Sequence, residues 1–209
     1  MIDNGTNTED TYHTIETEQR AEFKVKSSVF IGTATPINSK EQAIERLEMI
    51  RKEFYDATHN CYAYRLGEKG LDFRAADDGE PNGTAGKPIL FSIQKYGVSD
   101  ILLVVTRYFG GTKLGTGGLA RAYSASAEAV LSVCTKKPVY KTSLVRVFCT
   151  YEDVKTILKL LEKHAVSFEG DYRDAIEFTA HVFSSKVEQF SNELTTLTNG
   201  RSGIVTKEL

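Results

Sequence analysis

The chain has 209 residues, of which 41% are hydrophobic and 26% are charged, proportions typical of a globular protein and atypical of a disordered polymer. Its 26 basic and 28 acidic residues give a net charge of -2, so any binding of an anionic polymer must come from a local patch. Because no apolar run approaches the roughly 20 residues that span a bilayer, we expect no membrane partner.

The cysteines and the beginning of the chain indicate a cytoplasmic protein. Cys61, Cys134 and Cys149 are far apart, include no C-x-x-C pair and cannot all pair within one chain. Free cysteines are typical of a reducing compartment. The opening "MIDNGTNTEDTYHT" is polar and acidic where a signal peptide is basic and then apolar, and we expect residues 1–14 to be flexible.

The patterns that follow, up to residue 138, combine strands and helices. Residues 15–35 alternate apolar and polar side chains, which predicts a strand pair or a meander. Ser39 and Gln42 form a capping box at the start of a helical pattern. The remaining patterns predict, in order, a strand over 59–67, a long loop over 71–86, a helix over 87–97, a buried strand over 101–109 and an Ala-rich helix over 119–133.

The last third of the chain has a different order of elements. Lys136, Lys137 and Pro138 predict a polar hinge, after which the patterns run strand, helix, strand, strand, helix, strand. This βαββαβ order is that of a ferredoxin-like domain. We therefore predict an α+β protein with one domain over 15–138 and a second over 139–209.

The segment "RYFGGTKLGTGGLARAYSASA", which begins at Arg107, is the strongest candidate binding site. It has no acidic residue, and its glycines and cations are Gly110, Gly111, Gly115, Gly117, Gly118, Arg107, Lys113 and Arg121. Exposed backbone N–H groups, a helix N-terminus and full positive charges together favour an anion. The alternative is that the glycines serve tight turns and that the cations are solvated.

The two common phosphate motifs do not account for this segment. "GTGGLA", over 115–120, satisfies G-x-G-x-x-G/A between a strand and a helix, but nine residues separate the strand core from the second glycine pair. No acidic residue stands about 20 residues further on to hold a ribose hydroxyl. Lys113 precedes its nearest glycine, the reverse of the Walker order. The prediction is therefore a general anion site.

A second loop, "RAADDGEPNGTAGKP", carries the other candidate residues, which are Asp77, Asp78, Glu80, Asn82, Gly83, Thr84 and Lys87. Three carboxylates suit magnesium. Asp-Gly and Asn-Gly are also turn dipeptides, and acids before a helix are typical caps, so we favour a structural loop and predict no metal. His59 and Cys61 have H-x-C spacing without a second half, which argues against zinc.

Both loops, "ADDGEPNGTAGKPIL" and "VVTRYFGGTKLGTGGLARAY", with "ATHNCYAYRLG" upstream, resemble the signature of the IMPACT/YigZ family. The resemblance extends from about residue 15 to the end and is that of a bacterial-type, two-domain member. It implies an N-terminal domain with the ribosomal protein S5 domain 2-like fold and a ferredoxin-like C-terminal domain. The RWD domain that precedes them in the eukaryotic protein is absent from this sequence. The resemblance assigns no catalytic residue and no cofactor.

The implied fold pair is similar to the last two domains of the translocation GTPase EF-G, so the resemblance implies a role in translation. We expect a regulator that binds RNA or the ribosome, with Arg107, Lys113 and Arg121 on phosphates, and no DNA partner. One alternative is a small-molecule enzyme of GHMP-kinase-like fold, although Ala120 and Arg121 stand where that loop has serines. The other alternative is a protein-interaction module.

Overall fold

The computed structural model describes residues 10–173 and 175–207, which form two compact units. One is Tyr12–Val139, and the other comprises Tyr140 onward together with Asp10 and Thr11. The α+β class is confirmed. Residues 1–9 of the segment predicted to be flexible lie outside the described residues. Its last part was predicted wrongly, because Thr11–Ile15 is a strand.

The first unit is built on a five-stranded antiparallel sheet in the order β2-β3-β6-β4-β5, and β1 and β7 pair as a separate two-stranded sheet. The elements are β1 Thr11–Ile15, β2 Gln19–Val25, β3 Ser28–Pro36, α1 Lys40–Glu53, β4 His59–Leu66, β5 Asp72–Ala76, α2 Gly86–Tyr96, β6 Ile101–Tyr108, α3 Thr116–Ser132 and β7 Lys136–Tyr140.

The central strand β6 is buried on both faces, as its continuous apolar run predicts. Side chains alternate across a strand, so Leu102 and Val104 join a cluster with α1, whereas Leu103 and Val105 pack with α2 and α3. The sheet thus lies between α1 and the α2–α3 pair. The end of β6 leads directly into the Gly-rich segment.

Local sequence sets the helix ends. Ser39 Oγ accepts a hydrogen bond from the Gln42 N–H at 3.2 Å, and the Gln42 side chain accepts one from the Asn38 N–H at 2.9 Å. The second hydrogen bond of the capping box therefore comes from Asn38, one residue before the N-cap Ser39, instead of from Ser39 itself. Gly97 ends α2 in the left-handed conformation, with φ of 74°.

Two predictions about irregular segments are wrong. The first residues of the predicted 71–86 loop form β5, because they pair with β4 from Leu66↔Asp72 to Tyr62↔Ala76. The predicted hinge at 136–138 lies in β7. Strand pairing overrides the turn-like composition in both places, with the preceding strand β4 for β5 and with the distant β1 for β7.

The second unit has the predicted βαββαβ order, and its antiparallel sheet runs β11-β8-β10-β9. Its elements are β8 Thr142–Cys149, α4 Val154–His164, β9 Ala165–Asp171, β10 Ile176–Phe183, α5 Val187–Leu197 and β11 Gly203–Lys207. One apolar cluster, which includes Val147, Leu161, Phe178 and Phe190, joins both helices to the sheet.

An ion-pair cluster on α4 and α5 predicts acid sensitivity of the second unit. Hydrogen bonds from Lys163 and His164 lower the pKa of Glu193 from 4.5 to about 2. A depressed carboxyl pKa contributes stability that is present above pH 4.5 and is lost as the pH falls toward 2. We expect Glu193→Gln to flatten the loss of stability over this range, measured by acid denaturation. Glu188→Gln, a substitution at an exposed position of the same helix, should lose stability with falling pH as steeply as the wild type. An equally steep loss in both variants would contradict the assignment to Glu193.

Candidate functional site

A groove of about 420 Å³ in the first unit brings the three sequence motifs together. His59 comes from the start of β4, Glu80 from the loop after β5, and Arg107 from the end of β6. The residues that line the groove are Thr58, His59, Glu80, Pro81, Arg107, Phe109, Lys113, Leu114, Gly115, Thr116 and Leu119. We call this surface the motif groove.

Arg107 and Glu80 form a buried ion pair at the base of the motif groove. Arg107 is only 5% exposed, and its guanidinium carbon lies 5.4 Å from the centre of the Phe30 ring and 5.6 Å from that of Phe109. Glu80 Oε1 accepts hydrogen bonds from Arg107 Nη1 and, at 2.8 Å, from the Tyr123 hydroxyl. The prediction that Arg107 meets phosphates at the surface is therefore wrong, since its charge is neutralised in the interior.

Burial keeps the neighbouring hydroxyl and thiol protonated. It raises the pKa of Tyr123 far above its ordinary value, and it raises the pKa of Cys61 to about 12. Tyr123 therefore remains a hydrogen-bond donor to Glu80. A protonated, buried thiol is a poor nucleophile, so Cys61 is a packing residue.

In the second loop, the carboxylates of Asp77 and Asp78 already have hydrogen-bond partners in the protein. Asp77 accepts hydrogen bonds from the N–H groups of Gly83, Ala85 and Gly86 at 2.8–3.0 Å, and these bonds lower its pKa although burial opposes them. Asp78 accepts from the Asn60 N–H at 2.7 Å and from Arg51 at 2.9 Å. Asp77 therefore caps the N-terminus of α2, and both carboxylates serve the fold.

The other residues of this loop divide by exposure. Thr84 is buried and donates to the Pro81 carbonyl at 2.7 Å, and Gly83 turns the chain with φ of 77°. Asn82 and Lys87 are exposed. Within the residues that the structure describes, no group of three or more His, Cys, Asp or Glu side chains could hold a metal ion.

The glycines of the Gly-rich segment have different roles. Gly110 packs against the β2–β3 turn, since a Cβ on it would stand 2.1 Å from the carbonyl carbon of Ser27. Gly111 and Gly115 have φ of 82° and 72°, and a Cβ on either would meet no atom within 4 Å among the described residues. Gly117 and Gly118 lie in the first turn of α3.

The rim of the motif groove carries positive charge that no carboxylate of the described residues neutralises. The N-cap of α3 is Gly115, which has no side chain to accept from the first amides, and the first turn contains no acidic residue. Lys113 is exposed at the groove, and the Arg121 guanidinium turns back toward this end of α3, 3.6 Å from an ideal Cβ on Gly117. We call Lys113, the first turn of α3 and Arg121 the cationic rim; it suits an anion.

His59 lies in the motif groove, although its H-x-C spacing suggested no site. Its Nδ1 is 2.8 Å from the Asp78 carbonyl oxygen, and its Nε2 is 4.0 Å from Glu80 Oε1. His59 is also the cross-strand neighbour of Arg107. The upstream motif "ATHNCYAYRLG" was the signal that pointed to this strand.

Within residues 10–173 and 175–207, no helix is long and apolar enough to cross a membrane.

Comparison with known proteins identifies the family. Residues 26–131 match the model of the Impact N-terminal domain. The chain is 38% identical over 202 residues to the IMPACT family member YvyE of Bacillus subtilis (strain 168), which covers 95% of this chain and 92% of that protein. It is 33% identical over 180 residues to the IMPACT family member YigZ of Escherichia coli (strain K12), with coverages of 85% and 88%.

A solved structure of a hypothetical protein is 30% identical and has a TM-score of 0.68, with 95% of this chain and 98% of that chain covered. The similarity therefore includes both units. The family motifs lie around one groove of the first unit, within residues 26–131. The chain belongs to the IMPACT family.

Proposed function

We propose that this protein is a translation-associated regulator that binds RNA, free or on the ribosome, through the cationic rim. Family membership supports the regulatory role. The observation that carries the RNA assignment is the charge at this end of the motif groove, where two exposed cations adjoin a helix N-terminus and no free carboxylate of the described residues lies nearby.

Local charge decides the sign of the potential at the rim. The whole chain has a net charge of -2, so its overall field does not attract a polyanion. Glu80 is paired with Arg107, and Asp77 and Asp78 accept hydrogen bonds from amides and Arg51. The α3 N-terminus adds about half a positive charge to those of Lys113 and Arg121. Phosphates therefore find a local attraction at the rim.

Phe109 suits an unpaired base beside that phosphate site. Its side chain lines the motif groove, its residue is 47% exposed, and the Arg107 guanidinium lies against one face of the ring. Stacking of a base on an exposed aromatic ring contributes about 1–3 kcal/mol. The proposed ligand is thus a single-stranded segment with a phosphate on the rim and a base on Phe109.

The site differs from the sequence prediction in one role. Lys113 and Arg121 contact phosphate, and Gly115 and Gly117 allow the backbone to approach the ligand. Arg107 instead packs its guanidinium against one face of the Phe109 ring and leaves the other face for the base. The second loop acts as the scaffold of the motif groove, with Asn82 and Lys87 as its exposed members.

The test is a double variant, Lys113→Ala with Arg121→Ala, in a salt series with labelled single-stranded RNA and with ribosomes by co-sedimentation. We expect affinity for RNA to fall about tenfold at physiological salt, because two phosphate contacts are lost. The slope of log K against log salt should become shallower by about 1.4, since each contact to a single strand contributes about 0.7.

The matched control is Lys155→Ala with Lys159→Ala, which removes two exposed cations from α4 of the second unit. It should leave both the affinity and the salt slope unchanged. Equal losses in the two double variants would show attraction by net charge alone. Absence of salt-dependent binding by the wild type would overturn the proposal.

A further inference from the structure

Strand β5 is an edge of the five-stranded sheet, and it presents exposed large apolar side chains as well as exposed charges. It pairs with β4 on one side and, among the described residues, with no strand on the other. Phe73 is 51% exposed, and Leu71, which directly precedes the strand, is 77% exposed. An exposed edge with large apolar side chains is a template for pairing with another strand.

The opposite edge of the sheet lacks this apolar character. The exposed side chains of β2 are Arg20, Glu22 and Lys24, and each of them has an ion-pair partner. Charged side chains on an edge oppose association with another sheet unless opposite charges meet across the pair. The difference between the two edges points to β5 as the one that pairs.

The charges of β5 indicate what the partner is. Asp72 and Arg74 point to the same face of the sheet, because they oppose Leu66 and Tyr64 of the α1 face. Phe73 points to the other face. In an antiparallel pair of two β5 strands related by a two-fold axis at Phe73, Asp72 of each copy faces Arg74 of the other.

We propose that a second copy of this chain pairs with β5 edge to edge, antiparallel, with the two Phe73 side chains adjacent on the two-fold axis. This register forms two opposite-charge pairs on one face, and on the other face it sets each Leu71 opposite Ala75 of the second copy. Two-fold registers centred on Asp72 or Arg74 instead place like charges opposite each other, which is unfavourable.

Asp72 already contacts Lys40 in its own chain, with 3.2 Å between Oδ2 and Nζ. Both side chains are about half exposed, so this ion pair is weak and does not prevent a contact from the second copy. The paired strand has only five residues, so the interface is small and the dimer is weak and reversible. None of these residues lines the motif groove, and the inference is independent of RNA binding.

The first experiment is sedimentation velocity of the full chain from about 10 µM to about 1 mM, the range in which a small interface associates. Asp72→Arg and Arg74→Asp should each weaken self-association about tenfold, because two attractive pairs become repulsive. A mixture of the two single variants should form the heterodimer, since every pair is then complementary again. The double variant Asp72→Arg, Arg74→Asp should regain the wild-type dimer.

A second measurement tests the register. In a Cys149→Ser background, Phe73→Cys should form a cross-linked dimer on mild oxidation, because the two Phe73 positions are direct neighbours. Leu71→Cys is the control on the same face, and its two copies lie about 14 Å apart in this register. A wild type that stays monomeric, or a dimer that neither charge reversal weakens, would overturn the proposal. Equal cross-linking at both positions would overturn the register.

Discussion

Replacing Arg107 with alanine is expected to lower the free energy of unfolding by about 3–5 kcal/mol, because it leaves the Glu80 carboxylate buried without its counter-ion. Glu80 is only 9% exposed, and its remaining hydrogen bond from the Tyr123 hydroxyl does not replace the lost positive charge. A loss of this size is a large part of the total stability of about 5–15 kcal/mol of an ordinary domain.

Urea unfolding followed by circular dichroism measures this loss. The control is Arg20→Ala, which breaks an ion pair with Glu53 that is more than a third exposed on the surface of the same unit and is worth at most about 1 kcal/mol. A similar midpoint shift in Arg107→Ala and Arg20→Ala would show that burial adds nothing. Glu80→Gln should be destabilised in the same direction as Arg107→Ala, since it leaves the buried guanidinium without a counter-charge.

Arg107→Ala and Lys113→Ala together distinguish residues that stabilise the motif groove from residues that contact phosphate. Arg107→Ala removes the support of Phe109 and lowers stability together with RNA affinity. Lys113→Ala, at an exposed position of the cationic rim, should lower RNA affinity with an unchanged urea midpoint. The pattern of the two readouts therefore distinguishes a supporting residue from a residue that contacts phosphate.

Elements with strong local patterns were predictable. The apolar run of β6, the left-handed Gly97 after α2 and the βαββαβ order of the second unit all follow from residues close together in sequence. The strands that were missed are short and lie at an edge or in the two-stranded sheet: β1, β5 and β7. Strands β1 and β7 depend on partners far along the chain, and β5 depends on its pairing with β4, which local propensity does not encode.

The candidate site was predicted in its segments but not in its roles. Both loops were identified, and the structure places them around one groove. The pairing of Arg107 with Glu80 joins residues 27 positions apart, and neither motif specifies it. The sequence did indicate that Arg107 is buried. Arg107 lies an even number of residues from Leu103 and Val105 in β6, so its side chain is predicted to point to the same face of the sheet, into the α2–α3 layer.

Gly110→Ala is expected to cost about 3 kcal/mol, because its Cβ would overlap backbone atoms rather than a mobile side chain. The ideal Cβ lies 2.1 Å from the Ser27 carbonyl carbon and oxygen and 2.4 Å from the Ser28 nitrogen. Relief requires the Gly-rich segment to move away from the β2–β3 turn, which also breaks the 3.1 Å hydrogen bond from the Gly110 N–H to Ser28 Oγ. Phe109 moves with its neighbour, so RNA affinity should fall as well.

Two other glycines separate collision from backbone strain in the same urea experiment. Gly111→Ala meets no described atom within 4 Å but has φ of 82°, so we expect a smaller loss of about 1 kcal/mol. Gly203→Ala has neither problem and should be nearly neutral. An equal loss of stability in Gly110→Ala and Gly111→Ala would mean that the Gly-rich segment moves away from the β2–β3 turn at little cost. The order Gly110, Gly111, Gly203 would instead show that close contact with the β2–β3 turn fixes the position of the motif groove.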